Sequence, residues 1–199
     1  MSSKSSARGF TIMEATVVVL ILGLIAAFSA PRIINAMREY RVNLAVRQMT
    51  DLIERAKMQA VSDNNTVTLR VDTVNNQAGL VIRDSSGKEV NVQYIPLPQG
   101  VRFVLPTVSG GSSLPPPMSG APVSASVSFP AKAGSTGLYE QDFNSRGFPA
   151  VAAGAINAIY VGSNNKSYAA LTMNSVGGLR SWKWINNQWI NVRAVNPSS

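Results

Sequence analysis

Residues 10–31 are apolar at nearly every position, and the one ionisable side chain among them is Glu14. No other feature limits the fold as strongly. At about 1.5 Å per residue, a helix over this run reaches roughly 33 Å, enough to cross a bilayer. Residues 1–9 are polar, with Lys4 and Arg8 as their only charges. A short basic flank is expected to stay cytoplasmic, which places everything beyond Pro31 outside. Three readings fit such a segment: a secretory signal cut near Ala27-Phe28-Ser29, a plain transmembrane anchor, and a membrane helix with an assembly role. The first two account poorly for Glu14. A carboxylate inside an apolar span is costly and demands a partner, and no other charged residue lies within 10–31. The partner is therefore expected from another chain or from a newly made terminus.

Composition narrows the chemistry. With 45% hydrophobic and 14% charged residues in 199, the chain has enough apolar material for a packed core. It contains neither cysteine nor histidine, which excludes thiolate, Ser-His and His-metal mechanisms and any disulfide framework. Beyond residue 89 the only acids are Glu140 and Asp142, too few for a calcium cage. Gly110-Gly111 and Gly177-Gly178 lack a following lysine-threonine pair and read as turns, not phosphate-cradling loops. Neither an enzyme, nor a cofactor, nor a metal site is expected.

The pattern predicts an α+β fold. Beyond Pro31 helical spacing persists, with Ile33, Met37, Tyr40, Leu44, Leu52, Ala56 and Ala60 as an apolar stripe. Arg38, Glu39, Arg41, Arg47, Asp51, Glu54, Arg55 and Lys57 form the charged side. One helix is expected over residues 11–62, ended by Asp63-Asn64-Asn65. Pro31 either kinks or locally melts this helix, or ends its membrane part. After residue 65 the period becomes two, and strands are expected at 66–72, 78–83, 90–95, 101–105, 123–129, 156–162, 168–173, 179–185 and 188–195. A helix laid on mostly antiparallel strands satisfies this pattern. The proline- and glycine-rich stretch at about 106–137 reads as a long surface loop, either a contact loop or a tolerated insertion. The organisation is thus a leader at 1–9, a transmembrane and assembly helix at 10–31, an amphipathic helix at 32–63, and a β-rich head at 64–199.

The string Arg8-Gly9-Phe10-Thr11-Ile12-Met13-Glu14 resembles the prepilin cleavage motif of type IV pilins and type II secretion pseudopilins. The resemblance implies that a prepilin peptidase cuts between Gly9 and Phe10 and methylates the new amine of Phe10. Glu14 then becomes the fifth mature residue, where the family keeps a glutamate to neutralise a neighbouring subunit's terminal ammonium. Pro31 also matches a family position. Within the group the head resembles the H-type pseudopilins and FimT-like minor pilins, over the first 72 residues and again at Asp142–Pro149 and Asn174–Arg180. The implied protein is a structural minor pilin or pseudopilin, anchored in a bacterial inner membrane with its head in the periplasm or on a filament. Its implied partners are the peptidase and other pilin or pseudopilin subunits.

A basic C-terminal region offers a second function. The formal charge is +8, and without Lys4 and Arg8 it is +6. After Asp142 come Arg146, Lys166, Arg180, Lys183 and Arg193 with no acid, and Trp182, Trp184 and Trp189 lie among the last three cations. Cations on phosphates and aromatics on bases would make a DNA-capture surface. Some FimT-like pilins bind DNA through such residues, and by resemblance Arg180 and Lys183, with Arg193, would serve here. The alternative is that the tryptophans pack inside the last hairpin while the cations are solvated.

Overall fold

A segment whose side chains are nearly all apolar must satisfy its own backbone, and the first element does so as a helix. In the computed structural model, α1 spans Ile12–Ser62, one residue from the expected start. The structure describes residues 12–84, 86–106, 126–151, 156–163, 167–185 and 188–192. The chain divides into two units, Met1–Met37 and Arg38–Ser199. Helical structure runs on through Pro31, so the proline neither ends nor melts α1. One missing N–H is tolerated where the turns on both sides remain bonded. At the other end Asn64 adopts φ 46°, and the Asn65 N–H returns to the Ala60 carbonyl at 3.1 Å, closing the helix.

The head carries nine strands among the described residues: β1 (Val67–Asp72), β2 (Gln77–Arg83), β3 (Glu89–Pro96), β4 (Arg102–Phe103), β5 (Leu138–Phe143), β6 (Ile156–Ser163), β7 (Ser167–Asn174), β8 (Leu179–Ile185) and β9 (Gln188–Val192). They form a four-stranded sheet in the order β3-β2-β1-β5 and a five-stranded sheet in the order β4-β6-β7-β8-β9. All pairings are antiparallel. The expected α+β layout is present.

One core joins helix and sheets. Val42, Ala45, Met49, Leu52, Ile53, Ala56 and Ala60 of α1 are buried with Val67, Leu69 and Val71 of β1 and Ala169, Leu171 and Met173 of β7. Small residues at Ala45, Ala56 and Ala60 permit a close approach of helix to strand. The lower half of the expected stripe, Leu52, Ala56 and Ala60, is correct. Its upper half is not: Ile33, Met37 and Tyr40 are exposed, and the packed register there runs through Val42, Ala45 and Met49. Spacings of three and four residues fit both registers, and the sheets select one.

Two strand assignments also change. The strand expected at 123–129 is, in its described part, a single bridge to β6, and the residues after it go on to a second sheet edge. Ser126 and Ser128 bond β6 through Tyr160 and Ala158, and then Pro130 and Lys132 bond β5 through Glu140 and Leu138. This crossing segment ties the sheets together, helped by the Asn157 amide donating to the Gln141 side-chain oxygen at 2.5 Å. The strand at 138–143 was not anticipated, because its inward Gln141 and outward Glu140 and Asp142 conceal the alternation.

Candidate functional site

Three places hold the expected functional residues. The first is the start of α1. Gly9 and Phe10 lie outside the described residues, and Glu14 stands in the first helical turn. Around and beyond it the apolar side chains face outward on every side of the helix. Leu20 is 71% exposed and Phe28 72%, and Ile12, Met13, Val17, Ile21, Leu24 and Ile25 are also exposed. None of the most apolar 18-residue window is buried within the chain. The helix is long and apolar enough to cross a membrane, a criterion that a signal sequence near an N-terminus also meets. Pro31 is likewise exposed, within the same unit as Glu14.

The second place is the hairpin of β8 and β9. Residues three apart on a strand point to opposite faces, and the register follows that rule. Lys183 pairs with Ala169 and Ile190, in line with the face that packs on α1. Its ammonium is ion-paired with Glu39 of α1. Arg180 is exposed on the other face, opposite Thr172. That second face also carries the tryptophans. Trp182 is buried against Ala158, Tyr160 and Ala170, and its indole N–H donates to Thr172 Oγ1 at 2.9 Å. Trp184 and Trp189 meet edge to face with centroids 5.0 Å apart, and Tyr160 lies 5.9 Å from Trp189. Burial holds the Tyr160 phenol up at about 12. The tryptophans thus build a second small core, and the strand separates Arg180 from Lys183. Arg193 lies outside the described residues.

The third place was not found from the sequence. Arg70 of β1 is only 4% exposed, yet it collects carboxylates from two other strands. It contacts Glu140 of β5 at 2.5 Å, binds both carboxylate oxygens of Glu89 of β3, and approaches Tyr94 Oη at 3.4 Å. Arg83 reaches Glu140 at 3.1 Å, and Lys132 of the crossing segment reaches Glu89 at 2.9 Å. Three cations and two carboxylates therefore meet on one face of the four-stranded sheet. Hydrogen bonds from Arg70 and Lys132 draw the Glu89 carboxyl down to about 2. Burial opposes ionisation of Glu140, but the bonds and charges of Arg70 and Arg83 prevail and lower its pKa. The hydrogen bond to Glu89 raises the pKa of Arg70 further. Its guanidinium fork suits this multiple role. The register Arg70↔Glu140 was the available signal, but it required knowing that β5 exists.

The two head segments that carried the resemblance converge on a single helical side chain. Lys57 Nζ donates to the Gly177 carbonyl at 2.6 Å and pairs with Glu54 at 2.9 Å. Gly147, at φ 76°, lies against Lys57 and Val61, where an added Cβ would come within 3.3 Å of Val61. Among the described residues no three of His, Cys, Asp and Glu are grouped so as to hold a metal. No family model, no curated protein and no solved structure matches the chain.

Proposed function

We propose that this chain is a type IV pilin-like minor subunit, a structural component of a pilus or type II secretion pseudopilus. In this reading a prepilin peptidase cuts after Gly9 and methylates Phe10. The helix beginning there waits in the inner membrane and then packs among the helices of neighbouring subunits.

The observation that carries the reading is the outward-facing apolar surface of α1 from Ile12 to Phe28. Each side chain of that size left in water forgoes about 1.5–3 kcal/mol of burial, so the surface calls for lipid or other helices. Glu14 adds a direction to the packing. A carboxylate at that depth is stabilised by the terminal ammonium of the next subunit, which cancels two buried charges. Pro31 is compatible with a membrane helix that continues into the head.

A second reading, capture of DNA by the basic hairpin, draws support from the exposure of Arg180 alone, since Lys183 is engaged with Glu39.

Glu14→Val tests the assembly role. The variant should be processed and inserted normally yet be largely missing from sheared filaments or from cross-linked subunit ladders. Incorporation at the wild-type level would remove Glu14 from the account.

A further inference from the structure

A chain that leaves the hydrocarbon of a bilayer passes first through a layer of headgroups, roughly 5–8 Å deep, where arginine and aromatic side chains are favoured. The second unit of this protein begins at Arg38, seven residues past Pro31 and so about 10 Å further along a helix. The side chains at that end of the head are therefore within reach of lipid.

Four segments of the head meet where it begins. Arg41 donates to the Gln99 carbonyl at 3.3 Å, which joins α1 to the loop between β3 and β4. That loop is tied in turn to the connection between β1 and β2. The Leu97 N–H donates to the Asn76 carbonyl at 2.9 Å, and the Phe103 N–H to Asn76 Oδ1 at 3.2 Å. On another side, Glu39, Val42 and Asn43 of α1 line one groove with Lys183 and Ile185 at the end of β8.

These segments carry apolar and basic side chains together. Tyr40 is 68% exposed, Val74 65% and Ile185 38%. The same segments supply Arg38, Arg41 and the exposed Arg102. Their acids are already engaged. Glu39 is paired with Lys183, and Asp72 is buried and accepts bonds from Val74, Asn75 and Gln77. Cations beside exposed apolar tips suit an interface where arginine meets phosphate and the tips enter the headgroup boundary.

Granted the membrane reading of α1, we propose that this end of the head is a docking surface for anionic phospholipid headgroups. Arg38, Arg41 and Arg102 pair with lipid phosphates, and Tyr40, Val74 and Ile185 seat at the headgroup boundary. The head rests on the bilayer before assembly, and leaving that surface is a separate step of entry into a filament.

The chain has no cysteine, so a single introduced one can carry a fluorescent probe. The test inserts the full chain into phosphatidylcholine vesicles, with and without phosphatidylglycerol, and quenches the probe with lipids spin-labelled on the acyl chain or the headgroup. Leu20→Cys reports on the span and Gln99→Cys on the proposed surface. Lys88→Cys, in the turn at the other end of β2, is the reference. The Leu20 probe should be quenched from the acyl chain in both lipids. With phosphatidylglycerol, headgroup quenching of the Gln99 probe should exceed the reference by about twofold or more, and salt should reduce the difference. Arg38→Gln/Arg41→Gln/Arg102→Gln should bring it to the reference level, whereas lysine at all three positions should preserve it. A Leu20 probe that escapes quenching would overturn the membrane reading and this proposal with it. With Leu20 quenched, a Gln99 probe equal to the reference or indifferent to phosphatidylglycerol would overturn the proposal alone. So would quenching that survives the glutamine triple or is lost in the lysine triple.

Discussion

The Lys57 ammonium donates to the Gly177 carbonyl oxygen at 2.6 Å, bridging positions 120 apart in the chain. The same side chain lies beneath Gly147 and is largely shielded from water. Both glycines have positive φ, 76° at Gly147 and 79° at Gly177, which side chains with a Cβ rarely adopt. A single lysine on α1 therefore fixes two separate turns.

Lys57→Met, which keeps the stem and removes the donor, should cost about 1 kcal/mol and speed amide exchange in the turn at 174–178. Gly177→Ala should cost more, about 1–2 kcal/mol, because it adds left-handed strain to a 3.3 Å contact with Lys57 Cε. Thermal melts and exchange mass spectrometry would check both. A silent Gly177→Ala would remove the turn from this account.

The Arg70 network should be expensive to break. Arg70→Met leaves Glu140, a mostly buried carboxylate, with only Arg83 and Lys132 for partners, and is expected to destabilise the head by about 1–3 kcal/mol. Arg70→Met combined with Glu140→Leu should recover part of that loss. Chemical denaturation followed by tryptophan fluorescence would show whether the pair behaves as a coupled unit.

The same carboxylates set a pH dependence. The Glu89 pKa is depressed from 4.5 to about 2, and Glu140 moves in the same direction. A depressed acid contributes stability that is full above its unfolded pKa and is lost as pH falls through the folded one. Stability should therefore fall as pH drops from about 4.5 toward about 2, and Glu89→Gln should flatten that part of the curve. Melting temperatures across the acid range would test this, and an unchanged slope in the variant would count against it.

Arg180 and Lys183 cannot serve one flat surface from opposite faces of β8. Arg180→Ala should change stability by no more than about 0.5 kcal/mol, as expected for an exposed side chain. If DNA binds at all, the salt slope should fall by about 1 on losing one of these residues and stay constant on losing the other. Equal losses from both substitutions would contradict the arrangement.

The sequence was most legible where periodicity is enforced by a uniform environment. α1 was read nearly to the residue, because apolar spacing, the charged opposite side and the Asp63-Asn64-Asn65 stop all agree. β1 and β2 followed from clean alternation, and β6 to β8 lie where strands were expected. The helix register above Val42 was hidden, since Ile33, Met37 and Tyr40 are as apolar as the residues that pack. β5 was hidden because its polar residues are satisfied from afar, Glu140 by Arg70 and Gln141 by Asn157. Charges paired across 70 positions leave no local trace. The basic C-terminus was visible as composition, but strand alternation distributes it over two faces.

The most direct measurement is mass spectrometry of the N-terminal peptide of the protein recovered from membranes of cells that carry a prepilin peptidase. The account predicts a chain beginning at methylated Phe10, and an uncut chain for Gly9→Ala. A wild-type chain that still begins at Met1, or one that begins near residues 27–30 after signal-type cleavage, would contradict it.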